Sequence, residues 1–160
     1  MPVGITFTQV IEKYRNLILN TSSINTWCNA NYSKNLSVFV GYNMEDSPKV
    51  SDAPFCVIVP ITYERGNSND EYRFTLEFNI GVYNRTYSNF NGNGALEWKG
   101  LYHADALTEL IIGALESDIS NASVDIVGYN LEDLSIYPTA IATLDVDISI
   151  TNVLGGTITI

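Results

Sequence analysis

The sequence predicts an α+β fold: a mostly antiparallel sheet with two helices packed on one face, in the order α-β-β-β-α-β-β-β. Three observations lead there. Segments 72–83 and 142–151 alternate apolar and polar residues with a strict two-residue period, the mark of strands with one covered and one uncovered face. Segments 7–18 and 97–117 space their apolar residues at 3.6 and read as amphipathic helices. Strands come in runs broken by single helices, which favours antiparallel pairing over a parallel sheet.

The first helix opens at Thr6, a good N-cap, and Gln9 three residues on completes a capping-box pattern. Phe7, Val10, Ile11, Tyr14, Leu17 and Ile18 form its apolar stripe. It should stop at Asn20-Thr21-Ser22-Ser23, whose side chains compete for backbone hydrogen bonds. A polar stretch with Trp27 and Tyr32 follows, then a short strand from Leu36 to Tyr42 and a loop over 43–54. Phe55-Cys56-Val57-Ile58-Val59-Pro60-Ile61 is an almost continuous apolar run, read as a buried strand with Pro60 at its end or at a bulge. It should pair as a hairpin with 72–83 across the polar loop Glu64–Glu71 and extend beyond the sheet.

In strand 72–83, Tyr72, Phe74, Leu76, Phe78, Ile80 and Val82 point one way. Residues 84–96, rich in Gly and Asn, read as a loop exposing Tyr87 and Phe90. On the second helix Leu101, Ala104, Leu107, Leu110, Ile111, Ala114 and Leu115 share a broad face, with Asp105, Glu109 and Glu116 in a stripe opposite. Val124–Val127 reads as a short strand, and Ala142 to Ile150 as a second long one-sided strand. Gly155-Gly156 then turns the chain into a brief terminal strand, Thr157 to Ile160.

At 160 residues the chain suits one domain, 1–160, and its 46% hydrophobic content supplies one core. No apolar run nears the ~20 residues that span a bilayer, so no membrane partner is expected. The start, MPVGITFTQVIEKYRN, lacks the basic region and apolar stretch of a signal peptide, so an intracellular product is expected. Cys28 and Cys56 fit that setting as free thiols, a disulfide being the alternative.

The net charge of −10 is unevenly placed. Residues 1–99 carry all eight Lys and Arg against nine acids, whereas residues 100–160 carry nine acids and no Lys or Arg. Such a surface has nothing cationic with which to displace counterions from phosphates, which argues against specific nucleic-acid binding. It is either a self-repelling solvated surface or one that faces a basic partner or DNA that must not adhere.

Catalytic motifs are missing. His103, the only histidine, falls at the margin of a helix stripe and reads as a hydrogen-bonded, half-buried side chain rather than a base. One His and two distant Cys are too few for a usual zinc site. The acids at Glu45-Asp46 and Glu132-Asp133 lack the ladder of a calcium loop. Gly92-Asn93-Gly94 lacks the Lys-Ser/Thr of a phosphate-binding loop. Asp145 and Asp147 are close enough for a carboxylate pair but read as solvated strand face. Neither an enzyme nor a cofactor is expected.

The capped first helix, FCVIVPI, the polar hairpin loop, YRFTLEFNIGVYN, DALTELIIGALES and YPTAIATLDVDISIT together resemble the tail terminator proteins of tailed bacteriophages, the group of the lambda-type terminator and related neck components. The likeness covers most of the chain and lies in element order and character. It implies a virion structural protein, made in the host cytoplasm, that forms a hexameric ring. Such a ring caps the finished tail tube and meets the head–tail connector protein while DNA passes through. It further implies that the hairpin tip (Glu64, Arg65, Asp70, Glu71) and the loop with Arg85, Tyr87 and Phe90 reach neighbouring subunits or the tube. Asp145 and Asp147, or Asp105, Glu109 and Glu116, would then face the channel. The rival is a monomeric acidic module of inhibitor or immunity type that binds a basic partner; an enzyme using the paired Asp comes third.

Overall fold

The computed structural model describes residues 5–41, 45, 48–65, 71–90, 94–118, 122–131 and 135–151, the side chains of Asn89 and Phe90 excepted. They form helices α1 (Phe7–Asn20), α2 (Ser22–Tyr32) and α3 (Lys99–Glu116). The strands are β1 (Ser37–Val40), β2 (Phe55–Arg65), β3 (Glu71–Tyr83), β4 (Tyr87–Phe90), β5 (Ala95–Trp98), β6 (Ala122–Asn130) and β7 (Thr139–Thr151). The fold is α+β with a mostly antiparallel sheet. Its five strands run β1-β2-β3-β7-β6, with the β1–β2 pair parallel and the other three antiparallel.

Two expectations about the elements are corrected. The described residues hold three α-helices, not two: 22–32 is helical despite its Asn and Ser content. Burial decides this, since Ile24 and Cys28 lie one turn apart and both enter the core, with Trp27 packed beside them. Asn29 and Asn31 donate their side-chain amides to the carbonyls of Asn25 and Trp27, both at 2.9 Å, so they spend their polarity on the helix itself. Secondly, 84–96 is not merely a loop, because β4 and β5 pair as a separate antiparallel hairpin in register Tyr87↔Trp98 and Phe90↔Ala95. The terminal strand expected at 157–160 lies outside the described residues.

The core sits between the helices and one sheet face. Thr6 caps α1, its hydroxyl accepting from the Gln9 amide at 3.3 Å while the Gln9 side chain accepts from the Thr6 amide at 2.9 Å. Val10, Ile11, Tyr14 and Ile18 then meet Leu107, Ile111 and Leu115 of α3 and the even-numbered residues of β3 and β7. Tyr14 donates to Asp118 at 3.2 Å, and Lys13 pairs with the same carboxylate at 2.6 Å, tying α1 to the end of α3. Both cysteines are free and fully buried, and burial pushes the Cys28 thiol up to about 11. Among the described residues no helix is long and apolar enough to cross a membrane.

Among the described residues no helix packs on the other sheet face. One end is apolar rather than polar as expected: Phe55 and Val57 are buried there with Phe39, Val59, Tyr83 and Ile141. The continuous apolar run of β2 is the cause, since it fills both faces. Gly81 opposes Phe55 in the register, and a Cβ on it would stand 2.1 Å from the Phe55 ring, so the missing side chain is what seats that ring.

Candidate functional site

Beyond the apolar end, the uncovered face is acidic because strand parity makes it so. In β7 the residues Leu144, Val146 and Ile148 enter the core, which turns Asp145 and Asp147 outward. The register then adds two acids that sequence spacing alone does not connect. Asp147 stands between Thr75 on β3 and Asp125 on β6, and Asp145 stands opposite Glu77 on β3. The face therefore carries two directly facing pairs of like charge, Asp125–Asp147 and Glu77–Asp145. Such pairs disfavour the sheet by ~0.2–1 kcal/mol each.

Two of these carboxylates are held. Asp147 accepts the Thr75 hydroxyl at 2.8 Å, and Glu77 accepts the Asn79 amide at 2.7 Å, while Asn79 accepts Thr143 at 2.9 Å. Partial burial, then the neighbouring Glu77 and Asp147, hold the Asp145 carboxyl above the usual carboxylate range. The acids line two depressions: Glu77, Asp145, Gly128 and Tyr129 one of about 520 Å³, and Asp125, Asp147, Thr62 and Arg73 another of about 420 Å³. Among the described residues no three His, Cys, Asp or Glu side chains converge to hold a metal ion.

The second acidic set lies with the helices. Tyr129 on β6 donates to Asp105 at 2.7 Å and lies 3.4 Å from Glu109, and the Asp105 bond in particular pushes its phenol up to about 12. Glu116 is exposed near the end of α3. The sheet separates this set from Asp145 and Asp147, so the two sets face different sides of the molecule.

His103 also belongs to the helical side. Its Nδ1 lies 2.8 Å from the Tyr32 hydroxyl, and its ring meets Trp27 and Tyr32 edge-on at 5.5 and 5.6 Å. Burial, with Lys99 adding, lowers its pKa below the ordinary histidine value. It does not approach the facing acids, because α3 packs on the opposite side of β7.

The interface candidates divide between two ends. At one, Glu64 opposes Arg73, whose Nε lies 3.1 Å from Glu71, and Arg65 lies over the Tyr72 ring at 5.6 Å. Asp70 lies outside the described residues. At the other, Arg85 lies over the Tyr83 ring at 5.6 Å and Tyr87 meets Tyr137 at 5.7 Å. Phe90 ends β4. Sequence reasoning missed the apolar knob beside Tyr87, where Trp98 meets Tyr137 at 5.5 Å and Ile136 is 78% exposed. It also missed Glu77 and Asp125; strand parity places each outward, but only the register joins them to Asp145 and Asp147.

No protein-family model matches the chain, and no curated protein matches it in sequence.

Proposed function

We propose that the chain is a non-enzymatic assembly protein of a tailed bacteriophage, a tail terminator whose copies form a ring on the tail tube and meet the head-side connector. The observation that carries this reading is the one-sided sheet: helices cover one face, while the other presents Glu77, Asp125, Asp145 and Asp147 side by side. A row of like-charged carboxylates is good material for a channel wall. Like charge repels a passing polyanion within a Debye length of ~8–10 Å; residues 100–160 carry no Lys or Arg to hold its phosphates, and Arg73 on this face lies among Glu64, Asp125 and Asp147. Of the two acidic sets, the open sheet face is the one we assign to the channel. The tip around Glu64, Arg65 and Glu71 and the end bearing Arg85 and Tyr87 are then left for subunit, tube and connector contacts.

The same acidic face would also suit a monomeric module with a basic partner. Light scattering across a concentration series, with and without isolated tail tubes, separates the two. Rings, in solution or capping tubes, support the terminator, whereas a monomer that ignores tubes supports the rival. Reversing Asp145 and Asp147 to Lys should slow DNA ejection, and unchanged ejection removes them from the channel.

A further inference from the structure

Among the described residues the sheet ends in two open edges of matching design. Strand β1 covers β2 only from Phe55 to Ile58, so among the described residues nothing pairs with the outer edge of Pro60–Arg65. On the far side, among the described residues, β6 is the last strand. The registers place the two free edges at the same height: Arg65, Tyr72, Ile150 and Ala122 share one row, Tyr63, Phe74, Ile148 and Val124 another, and Pro60, Leu76, Val146 and Ile126 a third. Each edge strand also slips register by one residue close to that last row, at Ile61 and at Val127. Three antiparallel pairings separate β2 from β6, so the two run in opposite directions.

We propose that Pro60–Arg65 of one copy pairs, antiparallel, with Ala122–Ile126 of the next, joining the sheets of successive copies head to tail. The proposal rests on the ring reading and specifies its contact. Copies set side by side at one level, with no inversion, bring Ser123 beside Glu64 and Asp125 beside Thr62 on the open face, so no acid faces an acid. On the helix side Val124 meets Tyr63 and Ala122 meets Arg65. The pairing covers Ile61 and Tyr63, which are 49% and 43% exposed and lie at an edge carrying only Arg65 as a cation. Edges are ordinarily guarded by Lys, Pro or bulges; here Pro60 and the two bulges limit the regular free stretches to Thr62–Arg65 and Ala122–Ile126, and β6 has neither Lys nor Arg. The contact is heterologous, the kind that closes into rings when the rotation allows.

Cysteines at Thr62 and Asp125 test it. Within one copy these positions are three strand spacings apart, ~14 Å, beyond the ~7 Å reach of a disulfide, and the native Cys28 and Cys56 are buried. Full-length Thr62→Cys and Asp125→Cys chains are mixed at a concentration where light scattering shows oligomers, oxidised, and run on non-reducing gels. A covalent dimer should form in the mixture and be lost when either variant is oxidised alone, and the double variant should give a ladder ending at the ring size. Hydrogen exchange on the unmodified chain gives an independent reading: amides of 60–65 and 122–126 should slow on assembly. Oligomers with neither the mixed dimer nor this protection overturn the edge pairing and leave the ring standing. A chain that stays monomeric at every concentration and on tubes overturns both.

Discussion

Asp125→Asn combined with Asp145→Asn should stabilise the protein. The substitutions abolish both facing like-charge pairs, Asp125–Asp147 and Glu77–Asp145, while sparing the carboxylates to which Thr75 and Asn79 donate. Each pair opposes the sheet by ~0.2–1 kcal/mol, so removing two returns about 1 kcal/mol. In a chain of this length that raises Tm by ~2–4 °C. Asn and Asp are similarly poor strand formers, so the backbone contributes little to the difference. Thermal unfolding by circular dichroism in about 10 mM and about 1 M salt is the assay, because the Debye length falls from ~30 to ~3 Å between them. The gain should be clear at low salt and nearly vanish at high salt. A double variant that is less stable at low salt refutes the reasoning, since the carboxylates would then be balanced by a cation, Arg73 in the same depression being the nearest candidate, and not opposed by one another.

Three further outcomes follow from the same geometry. Gly81→Ala drives a Cβ into the Phe55 ring, which is only 6% exposed and has little room to yield, and should cost ~1–3 kcal/mol in urea unfolding; pairing it with Phe55→Leu should recover part of the loss. Thr6→Ala removes the α1 cap and should cost ~0.5–2 kcal/mol in the same assay. His103 and Asp145 give stability a two-part pH profile. The lowered His103 pKa means that the folded state disfavours the imidazolium, so stability is full above ~6.5 and falls as pH drops through that value. The raised Asp145 pKa means that the folded state holds its proton more tightly than the unfolded chain, so this group returns stability as pH falls through the carboxylate range. Unfolding from pH 8 to 3 should show the first trend flattened in His103→Gln and the second in Asp145→Asn.

Periodicity made the covered half of the molecule legible. The stripes on α1 and α3 and the alternation in β3 and β7 are dictated by what each side chain must bury, and a single sequence carries that information locally. Helix α2 was hidden because its polar residues have weak helix propensity, and only packing of Ile24, Trp27 and Cys28 offsets that. The β4–β5 hairpin was hidden by turn chemistry: Asn-Gly repeats read as loop, yet they also mark hairpins when flanked by residues such as Tyr87, Leu96 and Trp98. The acidic face was half legible. Asp145 and Asp147 share parity on one strand, but Glu77 lies 68 residues before Asp145 in sequence, and only the β3–β7 register sets them opposite each other.

The division of labour between the two faces explains how such an arrangement survives. Tyr72, Phe74, Leu76, Phe78, Ile80 and Val82 of β3, and Ala140 to Ile150 at even positions of β7, all turn toward the helices and are at most 2% exposed. Most of the cohesion of the sheet thus comes from one side, with the Phe55–Val57 cluster adding to it at one end of the other. The opposite side can carry mutually repelling carboxylates for a cost of about 1 kcal/mol, small beside the ~5–15 kcal/mol of a typical fold. A sequence shaped for stability alone would place Lys or Thr opposite Asp125 and Asp145 and a Lys on the β6 edge. This one does neither. Both departures fall on surfaces the ring reading puts to use, the face as channel wall and the edge as the seam between copies. Neutralising the face should therefore raise stability while harming DNA passage, and blocking the edge should leave the monomer folded while preventing assembly. A folded-state defect from either change would mean that these surfaces serve the fold itself.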